Sequence, residues 1–156
     1  MEVYSIYEVI EQAVQAEKLG FDFYSARAKQ FAHDEELKKL FDILAGQELR
    51  HEKIFSALKE KTGELYLENW EEASRYLRAI VESEFFLGRG KSLASLEHIK
   101  SAEDAVRYAI GFEKETLLYY HGLRDIVNDK EILDRIISEE KSHIVWLNEF
   151  KKTYMK

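Results

Sequence analysis

The sequence contains no cysteine and no proline. Without cysteine there is no disulfide framework, no thiolate metal site, no iron-sulfur cluster held by this chain and no thiol nucleophile. Without proline nothing interrupts helical hydrogen bonding, and 34% charged residues beside 46% hydrophobic ones favour long, solvent-rimmed helices over sheets and tight turns. Long apolar runs are also missing, none approaching the roughly 18 residues that a membrane span needs. Met1 to Gln12 carries three acidic residues and no basic one, unlike a secretory signal. The formal net charge of -7 argues against nucleic acid or an anionic membrane as the main partner, and has the sign expected around a cation site. A soluble cytoplasmic protein is expected, and 156 residues fit one domain with a sizeable core.

What is present is a helical pattern with polar flaws. Stepping alternately by four and three residues from Leu37 gives Phe41, Leu44, Glu48, His51, Phe55 and Leu58, the inward stripe of a bundle helix. Glu48 and His51 are one turn apart and point into the same buried space, where an isolated charge is strongly disfavoured. The flaw recurs at Glu140 and His143 in the stripe Leu133, Ile136, Glu140, His143, Leu147, Phe150. Lone carboxylates interrupt two further stripes: Glu17 in Ile6, Ile10, Ala13, Glu17, Gly20, Tyr24, and Glu113 in Ala102, Val106, Ala109, Glu113, Thr116, Tyr120. Both lone glutamates are followed by Lys, then three residues on by the non-bulky Gly20 or Thr116, then seven on by Tyr24 or Tyr120. The chain therefore reads as a duplicated helical hairpin.

Taken in order, a capping box at Ser5 and Glu8 opens a helix over about 6–32, and a break at His33 and Asp34 leads into a second over 34–59. So short a connection makes the two antiparallel neighbours. Glu17 lies 16 residues before His33 and Glu48 lies 15 after it, so both carboxylates fall at nearly the same depth. Gly20, costly in mid-helix by roughly 1 kcal/mol, points to a need for space or backbone adjustment beside Glu17, or to close helix packing. Residues 60–101 read as a long crossover with a turn at Thr62 and Gly63. It holds a helix capped by Asn69 with the stripe Trp70, Ala73, Leu77, Ile80, Phe85, and a short helix over Ser92 to His98. Its aromatics, Trp70, Tyr76, Phe85 and Phe86, are expected to cover the bundle or a partner subunit, and a homodimer is the expected assembly. Ser101 and Asp104 form a second capping box opening a helix over 102–127, and Asp129 caps the last, over 130–154. His33, His98 and His121 fall outside the stripes and are expected at the surface.

One ExxH is a weak signal, since Glu and His are common on exposed faces. Four glutamates and two histidines, spread over the centres of four stripes and in the order E, ExxH, E, ExxH, are not explained that way. With neutral histidines they bring a charge near -4, which two divalent cations cancel. Oxygen and imidazole donors suit iron or manganese, and the lack of thiolates disfavours structural zinc.

In this ligand order the chain resembles the rubrerythrin branch of the ferritin-like di-iron carboxylate superfamily. The resemblance implies an all-α, ferritin-like four-helix bundle, two antiparallel hairpins joined by the crossover. It implies two iron ions bridged by Glu48 and Glu140, with Glu17 and His51 completing one position and Glu113 and His143 the other. Tyr24 and Tyr120 would hydrogen-bond ligand carboxylates or quench oxidising intermediates. The implied activity is reduction of hydrogen peroxide or dioxygen. The rubredoxin domain that feeds electrons to full-length rubrerythrins needs four cysteines, so the donor here would be a separate protein such as a rubredoxin. Gly20 and Thr116 would leave the opening through which peroxide arrives. Rubrerythrins typically carry a further glutamate where this chain has Thr116, a departure from the seven-ligand site and its metal movement; Glu115 points about 100° away. Bacterioferritin-type haem needs an axial methionine inside a helix, and the methionines are Met1 and Met155; no haem is expected. A ferritin cage normally uses a short fifth helix, whereas the chain ends soon after the last one. Ferroxidase or iron-handling chemistry on the same ligands, and a non-catalytic interaction module, are the alternatives.

Overall fold

The computed structural model describes residues 5–61, 70–81, 99–127 and 129–155. Five helices follow one another: α1 (Ile6–Gln30), α2 (Glu35–Lys61), α3 (Trp70–Val81), α4 (Ala102–Arg124) and α5 (Lys130–Tyr154). No strand occurs among the described residues, and no described helix is long and apolar enough to cross a membrane.

The helix ends follow from local chemistry. At α1 the capping box forms in both directions, with Glu8 N donating to Ser5 Oγ at 3.1 Å and Ser5 N to Glu8 Oε2 at 2.7 Å. Phe31 ends the helix, and the Asp34 carboxylate accepts from Leu37 N to start α2, so the turn is slightly wider than the His33–Asp34 break predicted. At α4 only half of the expected box exists: Ser101 Oγ accepts from Asp104 N, and no reciprocal bond is made. α4 stops at Arg124 rather than 127, where Asp125 and Ile126 turn the chain towards the Asp129 cap of α5. The expected Asn69 cap, the Ser92–His98 helix, Phe85, Phe86 and His98 lie outside the described residues.

α1 pairs with α2 and α4 with α5 along their lengths, while α1 meets α4 and α2 meets α5 more sparingly. The crossover helix α3 lies on α4, its buried Leu77 and Ile80 facing inward. Gly122 permits that approach, since a Cβ there would stand 2.8 Å from Leu77 Cδ2 and 2.9 Å from Tyr76 Cε1. Trp70 is half-buried against the bundle, whereas Tyr76 keeps 47% of its surface exposed.

The core has two compartments. One joins the start of α1, the end of α2, α3, the end of α4 and the start of α5 around Ile10, Phe55, Leu77, Tyr119 and Leu133. The other joins the opposite ends around Phe23, Phe41, Val106 and Leu147. Each buried Leu, Ile or Phe contributes roughly 1.5–3 kcal/mol, so the two apolar ends can hold a polar layer between them. That middle layer contains the six interrupting residues.

Candidate metal centre

Glu17, Glu48, His51, Glu113, Glu140 and His143 are all at most 1% exposed. They form two overlapping groups, Glu17, Glu48, His51, Glu140 and Glu48, Glu113, Glu140, His143, in each of which one donor atom per residue lies within 4.8 Å of the others. Glu48 and Glu140, the glutamates of the two ExxH segments, belong to both. Both hairpins deliver their donors to one depth, as the residue counts around each turn predict.

The histidines face the carboxylates through Nδ1. His51 Nδ1 is 2.8 Å from Glu140 Oε1 and 3.7 Å from Glu17 Oε2. His143 Nδ1 is 3.0 Å from Glu140 Oε2 and 3.3 Å from both Glu48 Oε1 and Glu113 Oε1. The rings stack at 5.9 Å between centroids. Their other nitrogens reach residues that the periodicity did not single out: His51 Nε2 lies 2.6 Å from Glu139 Oε2, and His143 Nε2 lies 2.7 Å from Gln47 Oε1. The available signal was positional, since Gln47 and Glu139 each immediately precede an ExxH.

The tyrosines cross between hairpins. Tyr24 Oη donates to Glu113 Oε1 at 2.5 Å, and Tyr120 Oη donates to Glu17 Oε1. Burial, with the charge of Glu113 on one and of Glu17 on the other, holds both phenols well above their ordinary pKa, so they stay protonated donors. Gly20 is not an opening. Its missing Cβ makes room for the Glu48 carboxylate, whose Oε2 would be 2.9 Å away. Thr116 is no opening either: it is 1% exposed and donates its hydroxyl to Phe112 O on its own helix at 2.9 Å. His33 and His121 are exposed, as expected.

The residues fit a pair of cations. Glu17 Oε2, Glu48 Oε1, Glu113 Oε2 and Glu140 Oε2 are buried without any hydrogen-bond partner, and such groups are costly unless something compensates them. Among the described residues their positive partners are the two histidines. With no metal bound, protons are the remaining compensation. Burial and the repulsion of Glu140, Glu17 and Glu113 push Glu48 well up. Burial and Glu140 likewise lift Glu113 to about 8. For Glu140 burial and Glu17 push up, but the hydrogen bond from Glu113 and the charge of His143 prevail and its pKa is lowered. Burial opposes charge on His51, yet its bonds to Glu140 and Glu17 win and raise it to about 11. In His143 burial is likewise overcome, by Glu140 and Glu113, and the pKa rises to about 10.

Comparison with solved structures gives a crystal structure from Thermotoga maritima, described as a ferritin-like diiron-carboxylate protein, with a TM-score of 0.76 and 23% identity over 98% of each chain. At that identity the likeness establishes the ferritin-like fold. No curated protein matches. The family model for rubrerythrin matches residues 8–103, which hold Glu17, Glu48 and His51. Glu113, Glu140 and His143 lie beyond that match and are tied to it by the repeated hairpin and by the shared carboxylates. With more than half of its length matched, its fold ferritin-like and its buried donors grouped in two overlapping sets, the chain belongs to the rubrerythrin family.

Proposed function

We propose that the protein is a dinuclear iron redox enzyme that reduces hydrogen peroxide, or dioxygen, with electrons from a separate donor such as a rubredoxin, manganese being the alternative metal. The observation that carries this reading is the pair of overlapping buried donor groups, four glutamates and two histidines, in which four carboxylate oxygens are left without a hydrogen bond. Glu48 and Glu140, common to both groups, would hold both ions; Glu17 and His51 would complete one position, Glu113 and His143 the other. When bound, a reduced metal pair supplies the two electrons that, with two protons, convert hydrogen peroxide to two waters.

The chain's own residues prepare that chemistry. The two apolar compartments exclude bulk water from the layer, which strengthens every charge interaction inside it. Tyr24 and Tyr120 retain their protons and orient Glu113 and Glu17, each helix steadying a carboxylate of the other hairpin. Thr116, bonded to its own backbone, adds no donor to either group. The test is to measure metal content after purification without added metal, then to mix the reduced, iron-loaded protein anaerobically with stoichiometric peroxide. Oxidation faster than that of ferrous ion in buffer is expected; an equal rate would sink the proposal.

A further inference from the structure

The duplicated hairpins place Gln47 and Glu139 at equivalent positions, each one residue before the glutamate of an ExxH. Each reaches across from its own helix to the histidine of the opposing one: Glu139 on α5 to His51 Nε2 at 2.6 Å, Gln47 on α2 to His143 Nε2 at 2.7 Å. Both atoms facing the rings are oxygen acceptors. A ring whose Nδ1 lone pair held a metal ion would keep its proton on Nε2 and donate it to the oxygen it faces. The two histidines are thus presented alike. They differ in what stands behind them, an anion for His51 and a neutral amide for His143.

Glu139 is fixed as that anion by two guanidiniums, Arg50 Nη2 at 2.5 Å from Oε2 and Arg135 Nε at 3.5 Å from Oε1. Only 23% of its side-chain surface is exposed, so water screens its effect on the ring incompletely. A carboxylate accepting from a ligand imidazole makes that imidazole a stronger base towards metal, and a charge-assisted bond is roughly twice as strong as a neutral one. We infer that Glu139 and Gln47 are positioning residues that make the two metal positions unequal, the Glu17 and His51 position binding the tighter ion and the Glu113 and His143 position the weaker. The inference rests on the dinuclear reading above.

The probe is ferrous ion, titrated anaerobically into the metal-free full chain by calorimetry, with helicity checked by circular dichroism. Wild type is expected to take up two ions per chain in two resolved steps. Glu139→Gln keeps an acceptor on His51 but removes the charge. It should weaken the tighter step by about 10- to 100-fold, bringing the two together, with two ions still bound. Gln47→Glu should strengthen the weaker step by about tenfold and leave the tighter one in place. If Glu139→Gln leaves the tighter constant where it was, or lowers both alike, the inequality is not set by Glu139 and the inference falls while the dinuclear reading stands. Should Glu139→Gln fail to fold once Arg50 and Arg135 lose their partner, Gln47→Glu decides alone, and an unchanged weaker step overturns the inference. Wild type that takes up no ferrous ion overturns both.

Discussion

A methyl group at position 20 would stand 2.9 Å from Glu48 Oε2 and 3.1 Å from its Cδ. The obstructed atoms are the end of a flexible side chain, so Gly20→Ala does not require the helices to part. Alanine is also the better helix former by roughly 1 kcal/mol. The consequence should fall on the site: melting temperature unchanged or slightly higher, and ferrous affinity about tenfold weaker, because Glu48 belongs to both donor groups. Calorimetric titration beside a thermal melt separates the two effects, and unweakened uptake would show that the space at Gly20 is not needed. The tyrosines give the complementary case. Phenylalanine preserves the packing of Tyr24 against Phe23 and Phe41, at 5.4 and 5.9 Å between centroids, but removes the donor to Glu113 Oε1. An acceptor left buried without its donor costs about 1–3 kcal/mol. Tyr24→Phe and Tyr120→Phe should each lower the stability of the metal-free protein to urea by that amount. A negligible loss would mean that the carboxylates find other donors.

The helices themselves were legible because burial in a bundle follows one period. Every stripe position of α2, from Leu37 to Leu58, is buried, as are Glu17, Glu113, Glu140 and His143. Spacing along one helix gives face and depth. It does not give the opposing residue, and that is where sequence reasoning stopped. Gly20 reads as space beside Glu17, one turn away on its own helix, yet the space is filled by Glu48 from α2. Tyr24 and Tyr120 bond carboxylates of the layer as expected, but spacing along one helix did not say which, and each reaches the other hairpin's glutamate. Gln47 and Glu139 sit one position off the stripe, half-buried, and acquire their roles only through the crossing of α2 and α5. At this scale α3 offers a test. Its described stretch, Trp70–Val81, lies on α4 over Gly122, and its helical order is expected to draw on that docking. Gly122→Val should cost about 1–3 kcal/mol by overpacking and speed amide exchange across 70–81, while ferrous uptake stays at the wild-type value. Unchanged exchange in α3 would show that Gly122 is not its seat.

For the whole molecule the polar layer couples folding, protons and metal. In the metal-free fold His51 and His143 bind protons up to about 11 and about 10, against 6.5 for an ordinary histidine, and Glu113 does so to about 8, against 4.5. Over the span between these ordinary and raised values the folded chain holds more protons than the unfolded one. Stability linked to these groups is then fully present below the ordinary values and is lost as pH rises through the raised ones. The metal-free protein should therefore melt at progressively lower temperature from about pH 6 to about pH 9. Bound metal reverses the balance, because it needs deprotonated glutamates and neutral imidazoles and must displace the same protons; uptake tightens as pH rises. A ligand that binds only the folded state adds stability that grows with the logarithm of one plus its free concentration over its dissociation constant, so tighter uptake stabilises more. The melting temperatures of chelated and iron-loaded protein should accordingly draw together at acid pH and diverge towards alkaline pH. Paired melts across this range, in buffers of matched ionic strength, provide the check. A metal-free protein that gains stability as pH rises would mean that the layer is not held by shared protons, and that its four carboxylates are compensated by something other than the histidines and the cations they are arranged to receive.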